Sequence, residues 1–173
     1  MIASSSSINK STGGIDSANM SIISEILTQE RTVCCAPGVS KKRLFEDIAR
    51  IACDDQRSMS YDDVLDRLIA REKLGTTAVG GGIAIPHSRV SRCTAPVGVL
   101  ISLEEPIPFD APDDMPVDLL FTLLVPEEAH QQHLDILAAI AQLFSVPTFC
   151  EELRKASNSR ALYELICRQA ETS

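Results

Sequence analysis

Two stretches restrict what this chain can fold into more than any others. "VGVLISL" (97–103) and "VDLLFTLLV" (117–125) are continuous apolar runs bounded by prolines. Lacking the polar alternation of a half-exposed strand, they read as strands covered on both faces. A sheet buried on both sides needs helices on both sides, so the flanking segments must supply them.

The flanks have the required period. "SIISEILTQ" sets Ile22, Ile23, Ile26 and Leu27 at helical spacing, and "RTVCCA" is a short β-rich run ending at Pro37-Gly38. Ser40 is placed to cap "KKRLFEDIARIACDD", where Leu44, Ile48, Ile51 and Ala52 share a face. Ser60 with Asp63 opens "YDDVLDRLIAREKL" in a capping-box pattern, so the two segments form a helical hairpin. "EEPIPFDAPDDMP" is turn-rich and polar, and reads as an exposed loop between the two apolar strands. After Pro126, "HLDILAAIAQLF", "PTFCEELRKA" and "SRALYELICRQA" give three more helices. The expectation is an α/β fold: one domain (18–170), a mixed β-sheet sandwiched by helices, strand order unspecified. Residues 1–17, rich in Ser, Gly and Thr with little to bury, are expected to form a flexible tail.

Composition narrows the partners. The chain of 173 residues is 45% hydrophobic but only 4% aromatic with no Trp, a poor supply for stacking bases. Its net charge of -8 is repelled by nucleic-acid backbones and anionic lipid, so neither nucleic acid nor membrane is expected, and a partner carrying positive charge fits better. The six cysteines form no CxxC pair and mostly lie in apolar periodic segments, which reads as a reduced set of small hydrophobes. No run has the length of a membrane span and the start "MIASSSSINKSTGG" is unlike a signal peptide; the expected location is cytoplasmic.

Chemistry gathers around the three histidines. In "GGGIAIPHSRV" (80–90), Ile83 and Ile85 alternate with Ala84 as in a strand, and Pro86 cannot donate to a ladder. His87 is therefore expected to leave the sheet at its rim, where a neutral imidazole could take a phosphoryl group. The glycines are not a nucleotide loop, because no Gly-Lys-Ser/Thr follows them, and a plain turn with a surface histidine remains the simple alternative. In "EEAHQQHLDIL", His130 and His133 sit three apart at a helix start just after the second apolar run, close enough in topology for that start to approach His87. His87, His130 and His133 could also bind zinc, but no Cys or carboxylate stands at ligand spacing to complete the set. His130 fits better as a solvated first-turn residue. Arg71 and Lys73, in "REKLGTT", either complement a helix C-terminus or, for Arg71, offer a fork to phosphate oxygens.

Taken in order, "AREKLGTTAVGGGIAIPHSRV", "PIPFDAPDDMPVDLLFTLLVP" and "QQHLDILAAIAQLF" resemble the fructose/mannitol-type enzyme IIA family of the phosphotransferase system, most closely its nitrogen-regulatory branch, over roughly residues 20–168. The resemblance implies that His87, in the AIPH element, accepts a phosphoryl group through Nε2 from a histidine phosphocarrier. It implies that His133 is the second active-site histidine, a stabilising donor, and that Arg71 is the phosphate-neighbouring cation. No cofactor or metal is implied. With no membrane span and no recognisable IIB phosphate loop in the chain, the regulatory branch is favoured. There the phosphorylation state governs binding to targets such as potassium-transport components and sensor kinases. Two rivals stand beside it: a transport-linked IIA that passes phosphate to a separate IIB, and a binding module that is never phosphorylated.

Overall fold

The computed structural model describes residues 17–171, with side chains described over 22–168. The expected tail, 1–17, lies outside the described residues except for Ser17, which begins the first helix. In chain order the elements are α1 (Ser17–Ile26), a 3-10 turn (Gln29–Arg31), β1 (Thr32–Ala36), α2 (Lys41–Asp55), α3 (Tyr61–Leu74), β2 (Ala78–Gly80), β3 (Ile83–Ala84), β4 (His87–Val90), β5 (Val97–Ile107), β6 (Val117–Pro126), α4 (Gln131–Phe144), α5 (Pro147–Lys155) and α6 (Ser159–Glu171). The sheet is mixed, in the order β1-β5-β6-β3-β2, with β4 also on β6. β5 and β6 run antiparallel, whereas β1 on β5, and β3 and β4 on β6, are parallel.

The apolar runs are buried on both faces for the reason their composition suggests. Val99, Ile101 and Leu103 of β5, with Leu120 and Leu124 of β6, point into one core, closed by Leu44, Phe45 and Ile48 of α2 and Val64 and Leu68 of α3. The intervening Leu100, Leu119, Phe121, Leu123 and Val125 point into a second core with Ile23, Ile26 and Leu27 of α1 and the apolar faces of α4, α5 and α6. Alternate side chains thus serve opposite layers. Both predicted helix starts are present: Ser40 Oγ accepts from Arg43 N at 3.2 Å and Ser60 Oγ from Asp63 N at 3.4 Å. Asp63 does not return the bond to Ser60; its carboxylate takes Arg67 Nε and Ser91 N instead, tying α3 to the end of β4.

Three expectations need correction, and one element is new. β5 continues to Ile107, so "EEPI" is strand, and the rest of the expected loop is not wholly exposed, because Phe109 and Ala111 are buried beneath α2. A proline is tolerated there because Pro106 lies in an exposed strand end where the β5–β6 register shifts. β2, too short to carry a period, makes a hairpin with β3 through the glycine turn. His87 does not leave the sheet. The chain pairs Ala84 with Leu120 and His87 with Leu123, equal steps on both strands, so Pro86 interrupts the ladder without shifting its register, and its carbonyl still accepts from Leu123 N at 2.9 Å. Finally, only Cys93 and Cys150 are buried, while Cys35 is exposed and Cys34, Cys53 and Cys167 are intermediate.

Candidate functional site

His87 opens β4 on the side of the sheet that carries the glycine hairpin. Its Nδ1 lies 2.8 Å from Ile85 O. That carbonyl is free for a local reason. Thr77 O accepts the Ile85 N–H at 3.0 Å, but the Thr77 N–H turns away to the Glu72 carboxylate, leaving no ladder donor for Ile85 O. A carbonyl only accepts, so Nδ1 carries the proton and the lone pair of the neutral ring resides on Nε2. Burial pushes the His87 pKa below the ordinary imidazole value; the Ile85 carbonyl and, more weakly, Glu72 oppose the shift, and the Arg71 charge reinforces it.

The helix that follows β6 brings in His133. Its ring centroid is 5.7 Å from that of His87, edge-on at 62°. Burial, then the neighbouring His87 and the Arg89 charge, lower the His133 pKa as well. Its Nδ1 is buried and has no hydrogen-bond partner among the described residues. Two imidazoles that both favour the neutral form thus meet at the junction of β4 with the first turn of α4. His130 precedes α4, is exposed, and its side chain makes no cap hydrogen bond. Among the described residues, no three His, Cys, Asp or Glu side chains are grouped to hold a metal ion.

Arg71 lies in the last turn of α3, where Nη1 donates to Gly75 O at 2.9 Å. The first reading of this residue holds, since it complements the end of its own helix; its charge also acts on His87. Lys73 is exposed and lines a cleft of about 580 Å³ with Lys41, Lys42 and Glu72.

Sequence reasoning missed two charged neighbours. Glu72 accepts from Thr77 N, from Thr77 Oγ1 at 2.6 Å and from Lys41 Nζ at 2.6 Å, and so fixes the segment that frees Ile85 O. Arg89 stands two residues beyond His87 on β4 and is exposed. The signal for Arg89 was strand alternation, hidden by the expectation that the sheet ended at Pro86. The glycine turn beneath the site is held from both sides: Gly81 N donates to Asp113 at 2.8 Å, and Arg154 Nη2 donates to Gly81 O at 2.7 Å while its Nε pairs with Asp118.

Residues 25–169 match the family described as "Phosphoenolpyruvate-dependent sugar phosphotransferase system, EIIA 2". The chain belongs to that family, a phosphoryl-carrier component of the phosphotransferase system. It is 42% identical to the nitrogen regulatory protein of Pseudomonas aeruginosa over 144 residues, 83% of this chain and 94% of that one. It is 41% identical to the nitrogen regulatory protein of Escherichia coli K12 over 145 residues, 83% and 88% of the two chains. The crystal structure of nitrogen regulatory protein IIA-Ntr from Neisseria meningitidis superposes with a TM-score of 0.76 at 39% identity, covering 84% of this chain and 99% of that one. Within the family, this chain therefore falls in the nitrogen-regulatory branch. IIA mannitol of Escherichia coli, at 18% identity and a TM-score of 0.67, shares the fold, with 80% of this chain and 97% of that one covered. Among the described residues no single helix is long and apolar enough to cross a membrane.

Proposed function

We propose that this protein is a cytoplasmic phosphohistidine carrier of the nitrogen-related phosphotransferase system, taking a phosphoryl group on His87 Nε2 from a histidine phosphocarrier and controlling partner proteins by its phosphorylation state. The observation that carries the reading is the bond between His87 Nδ1 and Ile85 O beside the ring of His133. With Nδ1 holding its proton, Nε2 attacks the phosphorus of the donor phosphohistidine as the donor's P–N bond breaks, and the donor ring leaves with the bonding pair. No general base is required, because the attacking nitrogen has no proton to lose. The new phosphoimidazolium keeps its Nδ1–H on Ile85 O, which stabilises the added charge.

Transfer of this kind depends on position and on donors for the phosphoryl oxygens. His133, at 5.7 Å between ring centroids, and Arg71, with one of its N–H groups on Gly75 O, are the donors at hand. A partly buried acceptor also shields the labile P–N bond from water. The regulated targets implied by the branch are potassium-transport components and sensor kinases. The likeness at 42% and 41% identity to the nitrogen regulatory proteins of Pseudomonas aeruginosa and Escherichia coli supports regulation over sugar transport.

The test is intact mass after incubation with phosphoenolpyruvate, enzyme I and the histidine phosphocarrier. The wild type should gain one acid-labile phosphate and His87→Ala none. A phosphate retained on His87→Ala refutes the assignment, and no phosphate on either protein with an active donor supports the unphosphorylated binding module.

A further inference from the structure

The end of β1 brings two thiols together in a way that adjacent residues of a strand normally prevent. Successive side chains of a strand point to opposite faces. Here the β1–β5 register shifts between Val33 and Ala36, and Cys35 adopts φ +57°, the left-handed region that favours glycine. An irregularity of this kind re-aims a side chain. Its result is that Cys34 Sγ and Cys35 Sγ lie 3.0 Å apart. Holding a non-glycine residue in that region is strained, and such strain concentrates where a side chain has a task.

The surroundings hold the pair in place while leaving it accessible. Cys34 N donates to Ser159 Oγ at 3.0 Å and Cys35 N to Ser102 Oγ at 2.9 Å, so backbone bonds to α6 and β5 fix both residues. Cys34 Sγ donates to Ala156 O at 3.1 Å, in the turn between α5 and α6. Cys35 is exposed, and both cysteines line a cleft of about 520 Å³ with Arg43, Asp47 and Arg50. The remaining thiols, Cys53, Cys93, Cys150 and Cys167, are intermediate or buried.

We propose that Cys34 and Cys35 form a reversible vicinal-dithiol modification site, closed to a disulfide by hydroperoxides and reopened by dithiol reductants. In the first step the Cys35 thiolate attacks the outer oxygen of the hydroperoxide; the O–O bond breaks, an alcohol or water leaves, and Cys35 becomes a sulfenic acid. In the second, the Cys34 thiolate attacks that sulfur, the S–S bond forms and water leaves. Two electrons pass from the two sulfurs to the peroxide. Closure needs the sulfurs to approach by only about 1 Å. It also removes the Cys34 S–H that donates to Ala156 O, so the readout falls on the α5–α6 turn. The hydrogen bond to Cys34, with the Cys34 and Glu104 charges adding to it, holds the Cys35 thiol above its ordinary pKa, so the reaction should speed up as pH rises above neutral. None of this involves His87, which lies across β5 and β6 from β1.

The test exposes the folded full chain to hydrogen peroxide, alkylates free thiols under denaturing conditions and digests with trypsin, which releases 32–41 with no other cysteine in the peptide. The expected result is loss of two hydrogens from that peptide with no alkyl label, restored by dithiothreitol. Cys34→Ser should instead carry one or two added oxygens on Cys35. The proposal is overturned if wild-type 32–41 stays doubly alkylated at peroxide exposures that oxidise Cys35 in Cys34→Ser, or if wild-type Cys35 gains oxygens while Cys34 remains alkylated. It is overturned equally if Cys35 in Cys34→Ser resists peroxide altogether.

Discussion

At His87 a backbone carbonyl selects which ring nitrogen is available, and that carbonyl is free because Thr77 gives its N–H to Glu72. The chain of dependence predicts that Glu72→Gln, which weakens the bonds to Thr77, slows phosphoryl acceptance, whereas Lys73→Gln, an exposed neighbour, leaves the rate unchanged in the same assay. His133→Ala should slow acceptance by about tenfold or more, the loss of one charge-assisted donor, without abolishing it. The pH dependence follows from two lowered imidazole values. Between the folded values and about 6.5 the unfolded chain binds more protons, so this contribution to stability is complete above about 6.5 and is lost as pH falls through the folded values. Denaturant midpoints should fall with acidification over that window less steeply in a His87→Gln/His133→Gln protein than in the wild type. Phosphoryl acceptance should hold its rate below the ordinary imidazole value, since Nε2 keeps its lone pair there. From sequence, the approach of the α4 start to His87 was legible in the topology, since the apolar run ending at Pro126 delivers His133 beside the strand that carries His87; the roles of His133 and Arg71 came from the family resemblance and not from spacing. Glu72 and Arg89 were not legible, because a carboxylate turned inward and a strand resumed after proline leave no mark in composition.

The elements around the site owe their geometry to turns more than to periods. Gly80 at the end of β2 and the two glycines between β2 and β3 all have positive φ, but the surroundings of the latter two differ. A Cβ on Gly81, at φ +64°, meets nothing within 4 Å, while one on Gly82, at φ +81°, lies 2.8 Å from Arg154 Nη2 and 3.0 Å from Asp118 Oδ1. Gly81→Ala should therefore cost only the left-handed backbone penalty of about 1–2 kcal/mol. Gly82→Ala should cost more, because it also displaces the Arg154–Asp118 pair that clamps the turn. Chemical denaturation of the two variants tests the order. The long helices and both central strands were readable in advance since each repeats its period often enough to be seen. β3 showed in the alternation of Ile83, Ala84 and Ile85, but β2, having three residues, did not, and Pro86 looked like an end because one missing donor does not reveal that the register continues.

For the whole molecule, the sheet separates two apolar layers, and Gly98 marks how closely they fill. A Cβ there would stand 2.8 Å from Phe121 Cζ and 3.3 Å from Ile26 Cγ1, so Gly98→Ala should overpack the second core by about 1–3 kcal/mol while leaving the histidine pair in place. The layered plan was legible because uninterrupted apolar strands demand cover on both sides. Strand order was not, since pairings such as β1 with β5 join residues that no local pattern connects. Nor was the burial of Phe109, whose polar and proline-rich neighbours disguise a core residue that meets Phe45 edge-on at 6.0 Å. Layers, turn and freed carbonyl converge on one claim, that His87 presents Nε2 as its nucleophile. Long-range proton–nitrogen NMR of the ring before and after phosphorylation tests it directly. The account predicts a His87 tautomer protonated at Nδ1 in the free protein and phosphorus coupled to Nε2 afterwards; a ring protonated at Nε2, or phosphorus on Nδ1, would contradict it.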